Sequence, residues 1–378
     1  VRIKVLHFIS HGRIGGQERA MYQLFRAFEH DPDFEFAVAT GSEEGFYMNK
    51  ILELNIPCIR LGSASSASGF KLHCNPKLIQ RIGMYSIHHF HDPSPSEVFP
   101  SLLCGKKVIR LLTRRGGLIN YRKYGLKKCL KFYIARYMFC TFFHGFSGNT
   151  RAALDYIDEF LRVGGQKYLL YNGIDFSLLQ PREPRARVMR SMGLNNDDFH
   201  IGTACHLVKC KRVDLLIRAV QQAAIPNKKV LIFGTGAEEK NLKELVRKLG
   251  LETEVRFLGE VQNMADHLQV LDCYVQASGP EESFGNAVVE AMYLRVPAII
   301  MSDGGGMLEH IENGQTGWVA QDERDLARKL EYIWANSDVA GSVAARASAH
   351  VQEKYSLGNM VLSYKEFYRF ALTMSRKE

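Results

Sequence analysis

The stretch Ser278-Gly-Pro-Glu-Glu-Ser-Phe-Gly-Asn-Ala-Val-Val-Glu-Ala-Met292 decides how this chain folds. The run before it, Leu271 to Gln276, is short and apolar, as a buried strand is. Gly279, Pro280 and Gly285 then turn the chain through a loop, after which the sequence becomes helical. Strand, loop and helix in that order put the loop at the carboxyl end of a strand, where open α/β sheets bind ligands. Backbone N–H groups from Phe284 to Ala287 open the helix, and with the helix dipole they favour an anion there. Two carboxylates bracket the turn, Glu282 in the loop and Glu290 in the helix. A carboxylate aimed at the same anion would repel it, so Glu290 is expected to one side, accepting hydrogen bonds from a diol such as a ribose. A phosphate seat beside a diol-reading carboxylate is the outline of a nucleotide site.

With its flanks, the string Glu282-Ser-Phe-Gly-Asn-Ala-Val-Val-Glu290 resembles the Glu-x7-Glu signature of retaining glycosyltransferases of the GT-B fold, sequence family four (glycosyl transferases group 1). The resemblance implies an α/β architecture of two Rossmann-like, doubly wound domains facing across a cleft. It places an acceptor-side domain at residues 1–172 and a nucleotide-sugar domain at 173–355, with a helix at 356–378 crossing back to the first. It also implies roles. In His206-Leu-Val-Lys-Cys-Lys-Arg-Val213, Lys211 matches the lysine that clamps the donor diphosphate, and His206 stands where an arginine is often found. Gly259, closing Val255-Arg-Phe-Leu-Gly259, lies beside the base, while Phe284, Gly285 and Asn286 open the phosphate-binding helix. Glu282 contacts the donor sugar and Glu290 the ribose. Glu282 and Lys211 are the expected catalytic pair. Ser302 to Glu309 resembles the Gly-Gly-x-x-Glu loop, and Tyr168 to Asp175 the Asn-Gly-Ile-Asp hinge element.

In the first domain, Val1 to Ile9 reads as a strand and Ala20 to Glu29 as an amphipathic helix. Between them, Gly15 and Gly16 would let backbone approach a ligand without a Cβ in the way. The resemblance sets this Gly-Gly turn opposite the donor diphosphate. No G-x-x-x-x-G-K-S/T is present, and Gly234-Thr-Gly236 lacks the third glycine of a dinucleotide fingerprint. In Ile87-His-His-Phe-His-Asp-Pro93, His89 and His91 match a family His-x-His pair. A three-histidine metal site is the rival reading, but alternation along a strand points His88 to the opposite face. No metal is expected. His89 reads as a packed core residue and His91 as facing the acceptor or sugar. Arg114 and Arg115 follow the next strand, where many members carry a histidine; they are expected to meet the sugar or an acceptor phosphate.

The 378 residues suffice for two cores, and 46% hydrophobic with 24% charged residues is an ordinary globular composition. The eight cysteines form no C-x-x-C pair, which suits reduced thiols in a cytoplasmic protein. No secretory signal is read in the opening residues. The longest apolar stretch, Phe132 to Phe146, contains Arg136, Thr141 and His144 and is too short and polar to span a bilayer. The net charge of +9 is uneven: between Val98 and Leu154 there is no Asp or Glu, against twelve Lys and Arg with interleaved aromatics. Such a face attracts an anionic membrane, an anionic acceptor or nucleic acid; no recognised nucleic-acid module is visible, which disfavours the last. Lys123 to Phe143 reads as a basic, aromatic-rich helix suited to a membrane surface.

The expectation is therefore a hexosyltransferase, retaining, metal-independent and without cofactor. It would move a sugar from a nucleotide diphosphate donor, UDP-sugar favoured, to a glycan or glycolipid acceptor such as a lipopolysaccharide core intermediate. Its expected location is cytoplasmic, peripheral on the inner face of the cell membrane. The alternatives are a nucleotide-sugar epimerase of the same fold and a non-catalytic nucleotide-sugar-binding or membrane-scaffold protein.

Overall fold

The computed structural model describes residues 2–9, 15–41, 45–61, 75–93, 95–116 and 126–374. The small-residue loop Gly62 to Gly69 and the start of the basic helix at Lys123 lie outside them. The chain forms two compact units, residues 1–174 with 357–378, and residues 175–356.

The first unit holds a seven-stranded sheet of β1 (Ile3–Ile9), β2 (Phe34–Thr40), β3 (Cys58–Arg60), β4 (Ile87–His91), β5 (Ile109–Arg114), β6 (Gly145–Gly148) and β7 (Lys167–Leu169). The strands run parallel in the order β3-β2-β1-β4-β5-β6-β7. The chain winds from β1 to one edge and then returns to build the other, so β1 and β4 flank the topological switch point. Both faces are covered, which is why β1 (IKVLHFI) and β2 (FEFAVAT) are apolar nearly throughout. On one face Val5, Ile9, Ile87 and Leu111 pack under the helices Gly16–Ala27 and Leu357–Met374. On the other, Leu6, Phe8, Phe90 and Leu112 pack with Met138 and Phe139 of the helix Leu126–Phe142. Register pairs His7 of β1 with His89 of β4, and His91 with Thr113 of β5, all on the first of these faces.

The second unit repeats the plan. Its described strands are β8 (Phe199–Ala204), β9 (Lys228–Phe233), β10 (Val255–Gly259), β11 (Cys273–Gln276), β12 (Ala298–Met301) and β13 (Trp318–Ala320), parallel in the order β10-β9-β8-β11-β12-β13. Ile201, Val230, Ile232 and Val275 pack against Val213, Leu216, Ile217 and Val220 of the helix Val213–Gln222. Each such burial contributes roughly 1.5–3 kcal/mol. The helix Glu239–Leu249 buries only Leu242 and Val246, one turn apart, and stops at Gly250, whose φ of 67° suits glycine. The switch point here lies between β8 and β11. The loop leaving β11 is the stretch from Ser278 to Gly285 that decided the fold.

Candidate functional site

Three loops at the carboxyl ends of the second sheet are stapled together by Arg212. This residue sits at φ 47°, just after the turn Lys209–Lys211. Its Nε donates to the carbonyl of Ala277 at 2.8 Å and its Nη2 to that of Ser278 at 3.0 Å. Both terminal nitrogens also bond the Asp303 carboxylate, at 2.9 and 2.7 Å. The Gly279 N–H donates to the Cys210 carbonyl at 3.1 Å. The loop after β8 is thereby tied to the loop after β11 and to the one after β12.

This frame brings the two expected catalytic residues together. Lys211 Nζ hydrogen-bonds and ion-pairs with Glu282 Oε2. The side chains are 22% and 14% exposed. Burial opposes the ammonium charge, but Glu282 beside it holds the Lys211 pKa above its ordinary value. The loop after β12 supports Glu282 from below: the Gly306 N–H donates to the Glu282 carbonyl at 3.2 Å. That approach demands glycine at 305, where φ is 59° and a Cβ would stand 2.3 Å from the Glu282 oxygen. Gly285, at φ 65°, lies against Met307 in the same way, its Cβ position 2.7 Å from that side chain.

The other expected donor residues of the second unit lie on its loops and on the helix Asn286–Tyr293. His206 is exposed on the loop after β8, and Gly259, at φ 66°, accepts from the Gly234 N–H at 2.7 Å. Asn286 is half-buried in the first turn of the helix Asn286–Tyr293, which Gly285 precedes. Phe284 is an anchor, its ring packed against His310 and Tyr355 and its carbonyl bonded to His310 Nε2. Glu290 is buried, at 2% exposure. Cys205 lies close by, but burial pushes its thiol up to about 11, so it is no nucleophile at neutral pH. Arg212 and Asp303 were not singled out from sequence; the Lys211-Arg212 dipeptide was the available signal.

A second polar cluster occupies the switch point of the first unit. His7, His89, His91, Arg115, Tyr364 and Tyr368 are all buried. Arg115 can only donate, and this orders every proton behind it. Arg115 Nε donates to His91 Nδ1 at 3.0 Å, so His91 carries its proton on Nε2 and donates to His7 Nδ1 at 3.0 Å. His7 Nε2–H then donates to the Tyr368 hydroxyl at 3.4 Å, which donates to His89 Nδ1 at 2.8 Å. His89 Nε2–H donates to Thr113 Oγ1 at 2.5 Å, Thr113 to Ser147 Oγ at 2.7 Å, and Ser147 to the Leu112 carbonyl at 3.2 Å. All three imidazoles are thus neutral with assigned tautomers. Burial, with the Arg115 charge as a further cause, lowers His7 to about 3; burial and neighbouring positive groups, Arg115 among them, hold His89 and His91 well below the ordinary histidine range.

Among the described residues this trio is the group of His, Cys, Asp or Glu dense enough for a metal, its ligand nitrogens within 4.8 Å of one another. Each unprotonated nitrogen, however, already accepts a proton from Arg115, His91 or Tyr368, and a permanent cation adjoins the trio. As built, it is a hydrogen-bonded relay and offers no vacant donor set. His88 points to the opposite face, bonded to Ser101 Oγ at 2.6 Å and the Ile82 carbonyl at 3.0 Å, and burial lowers it to about 4.

The residues expected on the acceptor or sugar side have internal partners. His91 and Arg115 point inward: Arg115 also donates to Asn172 Oδ1 at 2.8 Å and to the Tyr364 hydroxyl at 2.6 Å. Arg114 pairs with Asp92 at 2.7 Å, and its guanidinium lies 4.5 Å from the Tyr156 ring centre. Gly15 precedes the helix Gly16–Ala27 at φ −170°, an extended geometry open to any residue; a Cβ there would stand 2.3 Å from Glu18 Oε2. Gln17 Nε2 bonds the His91 carbonyl at 3.2 Å, tying the start of that helix to the end of β4.

Residues 185–350 match the family model described as glycosyl transferases group 1. N-acetyl-alpha-D-glucosaminyl L-malate synthase of Bacillus anthracis is 27% identical over 202 residues, covering 53% of this chain and 52% of that protein. The lipopolysaccharide core biosynthesis mannosyltransferase LpsB of Rhizobium meliloti is 29% identical over 211 residues, covering 53% and 57%. The chain thus spans about half the length of the curated relatives it matches. Among solved structures, Anabaena Alr3699/HepE in complex with UDP superposes with a TM-score of 0.80 at 20% identity, over 99% of this chain and 100% of that one. The fold is that of the GT-B structures, two parallel-sheet Rossmann-like units, and the match to glycosyl transferases group 1 falls within the second unit.

Proposed function

We propose that the chain is a retaining, metal-independent hexosyltransferase. In this reading it moves a sugar from a nucleotide diphosphate donor, with UDP-sugar favoured, to a membrane-associated or phosphorylated glycan such as a lipopolysaccharide core intermediate. The observation that carries the proposal is the Lys211–Glu282 pair, framed by Arg212 at the switch point of a group 1 domain. The leaving nucleoside diphosphate is strongly anionic, so catalysis needs a cation aimed at it before the bond breaks. Lys211 is that cation, kept protonated by Glu282. His206 and the start of the helix Asn286–Tyr293 add donors. Glu282 adjoins the donor sugar, and Glu290 accepts from the ribose.

Glu282 is already engaged by Lys211, which makes it a poor covalent nucleophile. Departure and attack therefore share one face. The bond from the anomeric carbon to the phosphate oxygen breaks, the bond to the acceptor oxygen forms, and the acceptor proton passes to the departing diphosphate. The UDP in the HepE structure and the lipopolysaccharide role in the name of LpsB support the donor and the acceptor class by likeness.

The test is a thermal-shift panel of UDP, GDP, ADP and CMP, each with magnesium and with EDTA, followed by an assay of donor hydrolysis. A ligand that binds only the folded state raises the melting temperature. A shift with one nucleoside diphosphate that ignores metal, together with slow donor hydrolysis, is expected. Binding without any turnover would favour the non-catalytic alternative.

A further inference from the structure

The helix Leu126–Phe142 has two apolar faces. Met138 and Phe139 bury one of them against Phe90 and Phe146 of the sheet. On the other, Leu130, Tyr133, Ile134 and Tyr137 are 61, 61, 52 and 70% exposed. Their spacing of three, four and seven residues sets them in one stripe along the helix axis. Exposed apolar side chains scattered singly need no explanation, but a contiguous stripe of four large ones marks an interaction surface.

The surroundings select the occupant. The stripe lies within the segment from Val98 to Leu154, which has no acidic residue. Of its twelve basic residues, Arg110 and Arg115 are the buried ones among those whose side chains the structure describes. A second copy of the chain would bring the same positive charge to the contact, and like charges oppose it. An anionic bilayer surface complements both features, because aromatic rings seat at headgroup level, aliphatic side chains enter the acyl boundary, and cations attract the lipid phosphates. No helix among the described residues is long and apolar enough to cross a membrane, so the fitting geometry is a helix lying in the interface. The helix ends at Phe142, just before the amino end of β6, so its other end lies towards the carboxyl edge of the sheet.

We propose that Leu130, Tyr133, Ile134 and Tyr137 form a membrane-docking stripe that inserts into an anionic bilayer surface and seats the first unit on it. The proposal deepens the functional reading above and rests on its membrane-borne acceptor.

The test uses the full chain and its Leu130→Gln/Ile134→Gln/Tyr137→Gln variant, whose changes are all at exposed positions. Flotation is measured on phosphatidylcholine vesicles with and without phosphatidylglycerol at about a third of the lipid. The unaltered protein is expected to float with the anionic vesicles and not with the neutral ones. The variant is expected to lose about tenfold or more in partitioning while keeping its melting temperature and its UDP shift. Equal flotation of variant and unaltered protein, or no flotation of the unaltered protein, would overturn the proposal. So would light scattering that finds a dimer which the variant dissolves, since a second copy would then own the stripe. Loss of the UDP shift in both proteins, with flotation behaving as expected, would sink the donor assignment and leave the docking surface standing.

Discussion

Lowering the pH from about 7.5 to about 5.5 should loosen the first unit far more than the second. His7, His88, His89 and His91 are buried and neutral in the first unit, all with folded pKa values depressed below the ordinary 6.5. The unfolded chain therefore takes up protons first as the pH falls, and the stability these neutral rings carry at higher pH is lost below about 6.5. For a ring whose folded pKa lies well under the lower pH, linkage over this window amounts to slightly more than roughly 1 kcal/mol. Four such rings amount to roughly 4–6 kcal/mol, a large part of the 5–15 kcal/mol that typically holds a folded protein together. In the second unit only His310, lowered to about 3 mainly by burial, is comparably placed. His350, lowered by burial and by Lys354, adds less because it is only half-buried. Burial opposes ionisation of Asp31 and Asp266, but hydrogen bonds and neighbouring positive groups together hold both carboxyls below their ordinary value, so their contribution is lost only at more acid pH. The assay is amide hydrogen exchange at the two pH values, corrected for the intrinsic pH dependence of exchange and read on peptides spanning β1 and β4 against β8 and β11. If the β1 and β4 peptides lose no more protection than the β8 and β11 peptides, the neutral-histidine reasoning is refuted.

Four substitutions test the two clusters. Tyr368→Phe removes the hydroxyl between His7 and His89, leaving a buried donor and a buried acceptor unmatched, and should cost about 1–3 kcal/mol in a denaturant titration; an unchanged midpoint would break the deduced relay. Lys211→Ala should lower turnover by about 10²–10³ while the fold survives, and near-normal turnover would remove its assigned role. Glu290→Gln keeps the size of the buried side chain but weakens its acceptor; UDP binding by calorimetry should weaken by about tenfold or more, and an unchanged Kd would end the ribose assignment. Gly305→Ala must move the Glu282 loop as well as strain a left-handed backbone, so melting temperature and turnover should both fall, by more than about 1 kcal/mol in stability. If only the melting temperature changed, the loop would not be positioning Glu282.

Much of this protein is local, and local signals were sufficient for it. The strands read at Val1 to Ile9 and at Leu271 to Gln276 are found at Ile3–Ile9 and Cys273–Gln276, where apolar runs and turn residues put them. His88 turned away from its neighbours because a strand alternates. The Lys211 and Glu282 roles were sketched from motif likeness, and their convergence followed from placing both at carboxyl ends of neighbouring strands. What sequence could not convey is which distant residues share a desolvated interior. His7 meets His91 across 84 positions and His89 meets Tyr368 across 279, pairings that exist only once β1, β4 and the last helix are packed together. Arg115 stands in a basic run of the sequence, yet three internal acceptors compensate its burial and turn it inward, which no local signal conveys. The same packing decided which side of the helix Leu126–Phe142 faces water, because apolar residues on two of its faces give no single periodic signal, and only the sheet beneath it selects the stripe left outside.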